Sequence, residues 1–343
     1  IIGVFPQSVP PLLRRCSMPT SSPAASAAAP VAGLGWRNPH FLLFLSAVLW
    51  GMTWPAARTM ALHLPPISSA SWRFTLACIP MLAMVYIKNK GWPALSGRQY
   101  RWLALSGVIG VVGYMVCFMW GLSLVPAGRG SLVITFNPVI TAIGAAIFLR
   151  ERISARMLLG MAVATLGALT VITHGEFSRL WAGGVGKGEL ILLGCSFTWG
   201  AYSLMSKRSM QFTDSLTATT YPIVLGTLVL LLTGPALDTH LVGKSTTVDW
   251  AAVPWTAWAA LVFLAFGATV AAYNWFFTGV DRLGATSASA YNTLVPIFGV
   301  LFSRLLLGEQ MDGSLLVGGS IAVLGLAIMN GLAVSWLRKT SAT

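Results

Sequence analysis

The fold of this chain is decided by a segment that occurs twice. The first copy, GLSLVPAGRGSLVITFNPVITAIGAAIFLRERISARMLLGMAVATLGALT, covers residues 121–170, and the second, GVDRLGATSASAYNTLVPIFGVLFSRLLLGEQMDGSLLVGGSIAVLGLAI, covers residues 279–328. The copies align without a gap at a shift of 158 residues and share 12 identities in 50 positions, where a composition of this kind gives about four by chance. One shared pair is Pro138 with Pro296. The chain therefore contains an internal repeat.

The composition indicates a membrane protein. Hydrophobic residues make up 56% of the 343 positions and charged residues only 9%, whereas soluble domains carry about 25% charged residues. The mean hydropathy is +0.75, which excludes most classes of soluble enzyme. Apolar runs of about 20 residues, each long enough to cross a bilayer as a helix, recur from residue 39 onward. The ten predicted helices cover residues 39–62, 68–88, 99–123, 127–149, 154–174, 186–209, 215–234, 254–280, 285–307 and 313–336.

The place of the repeat in this series predicts how its two copies are arranged. Each copy extends to five helices, because Trp50-Gly51 in helix 1 matches Trp199-Gly200 in helix 6 at a shift of 149 residues. Five is an odd number, so the second copy enters the membrane from the opposite side. The predicted fold is an all-α polytopic membrane protein whose ten transmembrane helices form two inverted five-helix repeats in a basket-like bundle. Secondary transporters are built in this way, with their substrate site between the repeats.

Four segments divide the chain. Residues 38–176 form the first predicted repeat and residues 177–337 the second. The Ser/Ala/Pro-rich stretch 1–37 cannot bury a core and is predicted to be a disordered tail. Residues 338–343 are predicted to be a short cytoplasmic tail.

The net charge of +13 is interpreted as a signal for membrane orientation. Basic residues of membrane proteins concentrate on the cytoplasmic side. Of the 22 basic residues, 15 fall on the predicted side that carries both termini and seven on the other. Both termini are therefore predicted to be cytoplasmic, and nucleic acid is not an expected partner.

Metal, cofactor and proton-relay sites are not expected. The four cysteines include no Cys-x-x-Cys pair. All nine acidic residues and all four histidines fall in loops or at the ends of predicted helices, although a small boundary error would bring Glu189 or Asp281 nearer the membrane centre. Proton-coupled carriers normally use an intramembrane carboxylate or histidine. Transport is therefore predicted to be uniport, down the substrate's own gradient, or to be coupled by a route that the sequence hides.

Several of these features together resemble the drug/metabolite transporter superfamily, in its EamA-type branch. They are the two five-helix repeats, the Trp-Gly pair of helices 1 and 6, the mid-helix Pro138 and Pro296, and Glu151 and Glu309 after helices 4 and 9. The resemblance covers residues 39–336. It implies a bacterial inner-membrane protein with a central cavity walled by helices 1, 3, 4, 6, 8 and 9, and with helices 5 and 10 at the periphery. The aromatic-rich interior is similar to that of amino-acid exporters in this branch.

Aromatic and amide side chains of the predicted helices are the candidates for substrate binding, since no buried charge is expected. Aromatic faces stack flat rings or hold a cation, and an amide in hydrocarbon needs a partner or a water-filled cavity. The candidate substrate-binding residues are Trp50, Trp54, Tyr114, Phe118, Asn137, Trp199, Tyr202, Tyr273, Tyr291 and Asn292. Core packing or a place in the interfacial aromatic belts is the alternative for each aromatic residue.

The matched prolines, Pro138 and Pro296, are candidate gating residues. A proline inside a helix bends it and frees the carbonyl four residues back, here that of Ile134 or Asn292. Paired bends would let half-helices move as gates and present these carbonyls to the substrate. The alternative is that the bends only shape the bundle.

Two further features each allow two interpretations. Gly160 and Gly318 each begin a small-xxx-small pair, which permits close helix packing either within the chain or in a dimer, so the oligomeric state stays open. Arg58 and Arg73 flank the first predicted external turn. They either attract anionic groups or, as is more common, extend to the lipid headgroups.

The predicted function is export of small metabolites by alternating access, with amino acids, including aromatic ones, as the expected substrates. The expected partners are a small-molecule substrate and membrane lipids. A multidrug or organic-cation exporter is the alternative within transport, since an aromatic cage also suits cations. A membrane-embedded enzyme would need a cluster of nucleophile and base residues near the interface, which the sequence does not contain. A receptor is the remaining class.

Overall fold

A computed structural model describes residues 38–150, 153–180, 186–283 and 291–329. The two predicted tails lie outside these residues. The described part of the chain contains helices and no strand.

Ten helical segments follow one another in the described residues, besides a short 3-10 helix at Phe177–Leu180 between the fifth and the sixth. Named α1 to α10 in chain order, they are Pro39–His63, Pro66–Asn89, Gly97–Leu124, the two-part helix Ala127–Val133 with Phe136–Leu149, Ala155–Ile172, Lys187–Ser209, Ser215–Val242, the three-part helix Trp255–Val262, Phe263–Ala271 and Ala272–Leu283, then Leu294–Leu307 and Gly313–Met329. Seven are long and apolar enough to cross a membrane; α6 is more polar, and α9 and α10 are shorter. The chain is thus an all-helical polytopic membrane protein, and the inverted arrangement of its repeats stays a prediction.

Local capping explains where several helices begin. The side chain of Asn38 accepts a hydrogen bond from the backbone N–H of His40 at 3.0 Å, and Ser96 and Gln99 form a reciprocal capping box at the start of α3. Asp214 caps α7. Each cap satisfies backbone N–H groups that have no partner inside the helix. These polar caps fix the short turns between apolar segments.

The helices that approach the centre of the bundle depart from regular α-helical geometry. A π-helical turn occupies Val108–Gly113 of α3, and a longer one occupies Phe263–Ala271 of α8. A further break interrupts α4 at Ile134 and Thr135. Wider turns of this kind are common at functional sites, because they redirect side chains and backbone carbonyls.

The small-xxx-small pairs that begin at Gly160 and Gly318 pack α5 closely on α10 within the chain. A Cβ atom added to Gly167 would overlap the backbone of Ala322, and one added to Gly325 would overlap the backbone of Ala164. A Cβ atom on Gly160 would lie 2.5 Å from the backbone nitrogen of Met329. The small residues therefore bring two helices of the same chain together.

Carboxylates tie distant segments together at the end of the bundle that contains Glu309, called the Glu309 end below. The two carboxylate oxygens of Glu309 accept hydrogen bonds from the backbone N–H groups of Ala127 at 2.7 Å and Gly128 at 2.9 Å. This contact caps the N-terminus of α4, where a negative charge is favourable. Arg58 belongs to the same end, since it interacts with Glu309 and donates to the carbonyl of Leu122.

Two more contacts join distant segments at the Glu309 end. The carboxylate of Asp238 accepts from the N–H groups of Ile67 and Ser68, both at 2.8 Å, and so caps α2. The guanidinium of Arg129 contacts the carboxylate of Asp312 at 2.6 Å. Both contacts join residues more than 150 positions apart.

Candidate functional site

The interior of the bundle contains a cavity of about 220 Å³. Residues of α1, α3, α4, α6, α8 and α9, and Asn292 just before α9, line it, as the family resemblance implied. The cavity wall differs from that expectation in three places. Arg73 and Phe74 of α2, Ile223 of α7 and Leu326 of α10 also face the cavity. The site therefore draws on more helices than the six expected.

Nine of the ten candidate substrate-binding residues lie around this one cavity. They are Trp50, Trp54, Tyr114, Phe118, Asn137, Trp199, Tyr202, Tyr273 and Asn292. The matched prolines Pro138 and Pro296 also line it. Tyr291 is not among the lining residues, and its hydroxyl lies 2.8 Å from Nδ1 of His40. Whether any of these residues contacts a substrate stays a prediction.

Aromatic rings form a continuous series along one side of the cavity. The ring of Trp54 meets the edge of Phe118 at 5.0 Å between centroids, and Phe118 stacks on Tyr114 at 5.7 Å. Tyr114 contacts Trp199 at 5.7 Å, and Trp199 contacts Tyr202 at 5.9 Å. Edge and offset contacts between rings at these distances are favourable and hold the side chains in place. The cavity therefore presents a rigid aromatic surface.

Trp50 of α1 contributes to a second aromatic group, together with rings of α8. Its ring lies 5.4 Å from that of Tyr273 and 5.1 Å from that of Phe276. Its indole N–H donates to the carbonyl of Ala268 at 3.1 Å, within the π-helical part of α8. Since this bond uses the indole N–H, which is the one side-chain donor of a tryptophan, Trp50 can contribute only ring surface to the cavity.

A glycine makes room for one member of the aromatic series. A Cβ atom on Gly110 would overlap the ring of Tyr202. Gly110 lies in the π-helical turn of α3 and, like Tyr202, faces the cavity. Gly110 therefore allows close packing between α3 and α6.

The side-chain carbonyl of Asn137 is a buried acceptor without a partner. Its Oδ1 has no hydrogen bond among the described residues. Asn137 faces the cavity from the second part of α4, just after the break in that helix. An unsatisfied buried acceptor is costly, so this oxygen is available to a hydrogen-bond donor inside the cavity.

The expectation of freed carbonyls before the two prolines is wrong. The carbonyl of Ile134 accepts from the N–H of Asn137 at 2.9 Å, and that of Asn292 accepts from the N–H of Val295 at 3.2 Å. In both places the chain forms a tighter turn three residues long, so each carbonyl finds a new donor. The matched feature is a local break ahead of Pro138 and of Pro296.

Arg73 overturns the expectation of a neutral cavity. It was expected at the external turn, but it lies seven residues into α2, about 10 Å along the helix. Arg73 is 5% exposed and is the one charged residue among the described residues that line the cavity. The rule that ionisable residues inside membranes are functional would have found it. Applied to carboxylates and histidines alone, the rule missed the arginine.

Comparison with known proteins identifies the family. The EamA-like transporter family matches this chain twice, at residues 38–173 and 186–331. The chain is 28% identical to the uncharacterized transporter YyaM of Bacillus subtilis, over 86% of this chain and 94% of the relative.

Two other relatives carry names that state a substrate. A probable amino-acid metabolite efflux pump of Salmonella typhimurium is 27% identical, over 85% of this chain and 94% of the relative. A probable terminal-alkyne amino-acid exporter of Streptantibioticus cattleyicolor is 28% identical, over 87% and 95%. One solved crystal structure superposes with a TM-score of 0.58 at 20% identity, covering 85% of this chain and 98% of the other. That likeness concerns the fold alone.

Proposed function

The chain belongs to the EamA-like transporter family, and from that premise we propose that it exports amino acids or closely related metabolites, including aromatic ones. The observation that carries the proposal is the interior cavity with its series of aromatic rings from Trp54 to Tyr202. Concave, largely apolar sites with a few polar groups are the usual binding sites for small molecules. The names of two relatives favour amino-acid substrates.

The proposed mechanism is alternating access between two inverted repeats. The double match to the family and the breaks ahead of Pro138 and Pro296 support a duplicated architecture. Sites of such transporters lie between the repeats, and one repeat moves against the other around the site. In this proposal, the two breaks are where half-helices bend as the protein opens to one side or the other.

We place both termini in the cytoplasm of a bacterium and the protein in the inner membrane. The excess of basic residues on the side of the termini supports this orientation. The Glu309 end then faces outward, and its capping contacts hold it closed in this conformation. Export requires that the contacts of Glu309 and Asp238 with helix N-termini break and form again.

Uniport is the proposed mode of energy coupling. Among the described residues that line the cavity there is no aspartate, glutamate or histidine. Glu189, whose depth the sequence left open, is buried in the first turn of α6 but is not among the lining residues. A cavity with such a lining offers no carboxylate or imidazole to carry a proton. Amino-acid accumulation driven by a pH gradient alone in proteoliposomes would contradict uniport.

The test is counterflow in proteoliposomes that contain the purified protein and each common amino acid in turn. Proteoliposomes preloaded with an unlabelled amino acid should take up the same labelled amino acid faster than preloaded liposomes without the protein do. A matched pair of variants then locates the site. Trp54→Ala removes a ring from the cavity, and Trp255→Ala removes an exposed ring at the start of α8. We expect a loss of counterflow with the first change only. Equal flux in protein-containing and empty vesicles for every amino acid would reject the proposal.

A further inference from the structure

We infer that Arg73 is the residue that binds the carboxylate of the transported solute. The inference rests on the proposed function and narrows the substrate class to solutes that carry a carboxylate. Asn137 supplies the complementary acceptor, so the preferred solute also carries an amine or another N–H donor. An α-amino acid meets both requirements.

The guanidinium of Arg73 is buried without an anionic partner. The residue is 5% exposed, and its Nε and Nη1 atoms have no hydrogen-bond partner among the described residues. Arg73 takes no part in the salt bridges that Lys88, Arg129 and His174 form with carboxylates. A buried charge without a partner is strongly unfavourable, and so the site lacks an anion.

Two neighbours hold the guanidinium in position without neutralising it. Nη2 of Arg73 lies 3.6 Å from the sulfur of Met115, a weak acceptor. The guanidinium carbon lies 4.4 Å from the centroid of the Phe74 ring, at a distance favourable for a cation–π contact. Both neighbours line the cavity. Nε and Nη1 have no partner in the part of the chain that the structure describes, and Nη2 makes only this weak contact with sulfur, so the guanidinium keeps N–H donors for a carboxylate.

The same cavity holds an acceptor without a donor. Oδ1 of Asn137 is buried and unpaired, and Arg73 and Asn137 line the same cavity. A solute with a carboxylate and an ammonium group would satisfy both at once, while its side chain packs on the aromatic series. An organic cation without a carboxylate would leave Arg73 unpaired and would be repelled by it. The charge therefore argues against an organic-cation exporter.

The experiment measures binding and transport with the same three compounds. L-phenylalanine carries both groups, L-phenylalaninamide lacks the carboxylate, and 3-phenylpropionate lacks the amine. Binding to the full-length purified protein is measured as the rise in Tm, and transport as competition with counterflow of labelled L-phenylalanine. The variants are Arg73→Met, which removes the charge, Arg73→Lys, which keeps it, and Arg101→Met, which removes an exposed arginine of α3 as the control.

For the unmodified protein, we expect L-phenylalanine to bind at least about tenfold more tightly than its amide, with 3-phenylpropionate between them. Arg73→Met should weaken L-phenylalanine binding by about 10- to 100-fold, the range for losing a charge-assisted hydrogen bond, and should abolish the preference over the amide. Arg73→Lys should keep part of that preference, and Arg101→Met all of it. If Arg73→Met does not fold, the preference for L-phenylalanine over its amide in the unmodified protein and in Arg73→Lys still tests the inference.

Two results would overturn the inference. One is an amide that competes as well as L-phenylalanine in the unmodified protein; the other is an unchanged preference in Arg73→Met. Failure of the proposed function gives a different pattern, namely carboxylate-dependent stabilisation without any counterflow. If L-phenylalanine neither stabilises the protein nor enters the vesicles, both the inference and the proposed aromatic substrates are rejected.

Discussion

The two copies of the repeat agree in their backbone features and differ in their polar side chains. Pro138 and Pro296 correspond at a shift of 158 residues, and each follows a break in its helix. The asparagines near these prolines are not duplicated. Asn137 corresponds to Val295 and Asn292 corresponds to Ile134, although all four residues line the cavity.

The difference in side-chain chemistry between the two copies is larger in the second helix of each copy. At the shift of 149 residues that aligns the starts of the copies, Arg73 corresponds to Pro222. Arg73 faces the cavity, and Pro222 is buried in α7 beside Gly107 of α3. The duplicated features are thus those that let helices bend and pack, while the proposed ligands of the carboxylate and the amine occur once. In the proposed function, the duplicated architecture therefore holds the solute in one orientation.

The largest expected effect tests a feature that both copies share. Gly167 and Gly325 correspond in sequence and lie in the contact between α5 and α10. Gly167→Leu should force the two backbones apart and destabilise the protein by about 3 kcal/mol or more, with loss of monodisperse protein on size-exclusion chromatography. Gly325→Leu should do the same.

The control for these glycine changes is Gly313→Ala at the start of α10, where a Cβ atom would meet nothing within 4 Å. We expect it to behave as the unmodified protein does. Normal yield and Tm for Gly167→Leu would show that the contact between α5 and α10 is not needed for the fold.

A smaller effect is expected where the copies differ. Asn137→Ala should lower the affinity for L-phenylalanine in counterflow by about tenfold, since it removes the acceptor for the ammonium group. Val295→Ala, at the corresponding position, should change the affinity by less than about threefold. Equal effects at the two positions would mean that the copies contribute equally to recognition.

The matched prolines should give effects of similar size to each other. Pro138→Ala and Pro296→Ala should each slow counterflow by about two- to fivefold at an unchanged affinity, because a straighter helix hinders the conformational step. Pro80, inside α2 and without a matched partner, provides the control in Pro80→Ala. A changed affinity without a changed maximal rate would assign the prolines to binding rather than to gating.

The smallest effect concerns the contacts that close the Glu309 end. Asp312 lies in the turn before α10, and although burial acts to raise its pKa, bonds from Leu315 and Ser314 and the charge of Arg129 hold that pKa below the usual 3.8. The ionised Asp312 carboxylate therefore stabilises the folded protein fully at any pH above its unfolded-state pKa. This stabilisation is lost only as pH falls through the lower folded-state pKa.

Between about pH 5 and about pH 8 we therefore expect no change in Tm from this pair. Asp312→Asn should cost about 1 kcal/mol, because the carboxylate is partly exposed and screened but its partner Arg129 is buried and loses a charged acceptor. Thermal unfolding of both proteins over this range checks the expectation. A fall in Tm toward pH 5 that disappears in Asp312→Asn would show that the folded-state pKa of Asp312 is raised, not lowered.

The helices and most of the aromatic lining could be predicted because both depend on local pattern. Runs of apolar residues mark helices, and rings such as Trp54 and Phe118, four residues from a second ring on the same helix, share a face. Arg73 lies inside the predicted second helix, 68–88, and was missed because the expectation for buried ionisable residues considered carboxylates and histidines alone.

Other features could not be predicted because they depend on residues far apart in the chain. Glu309 caps α4 across about 180 positions, and no local pattern pairs a carboxylate with a distant backbone N–H. The π-helical turns of α3 and α8 have no periodic signature either. The bonds that occupy the carbonyls of Ile134 and Asn292 follow from such local rearrangement.

The central claim, that one cavity is opened alternately to the two sides of the membrane, is tested most directly by the reactivity of a single cysteine. Thr53 lines the cavity from α1, and Thr53→Cys is placed in a chain whose native cysteines are replaced by serine and whose counterflow is retained. A membrane-impermeant thiol reagent is then applied to right-side-out and to inside-out vesicles. We predict labelling from both sides, slowed in each case by L-phenylalanine. Labelling from one side only, or labelling that L-phenylalanine does not slow, would contradict alternating access through this cavity.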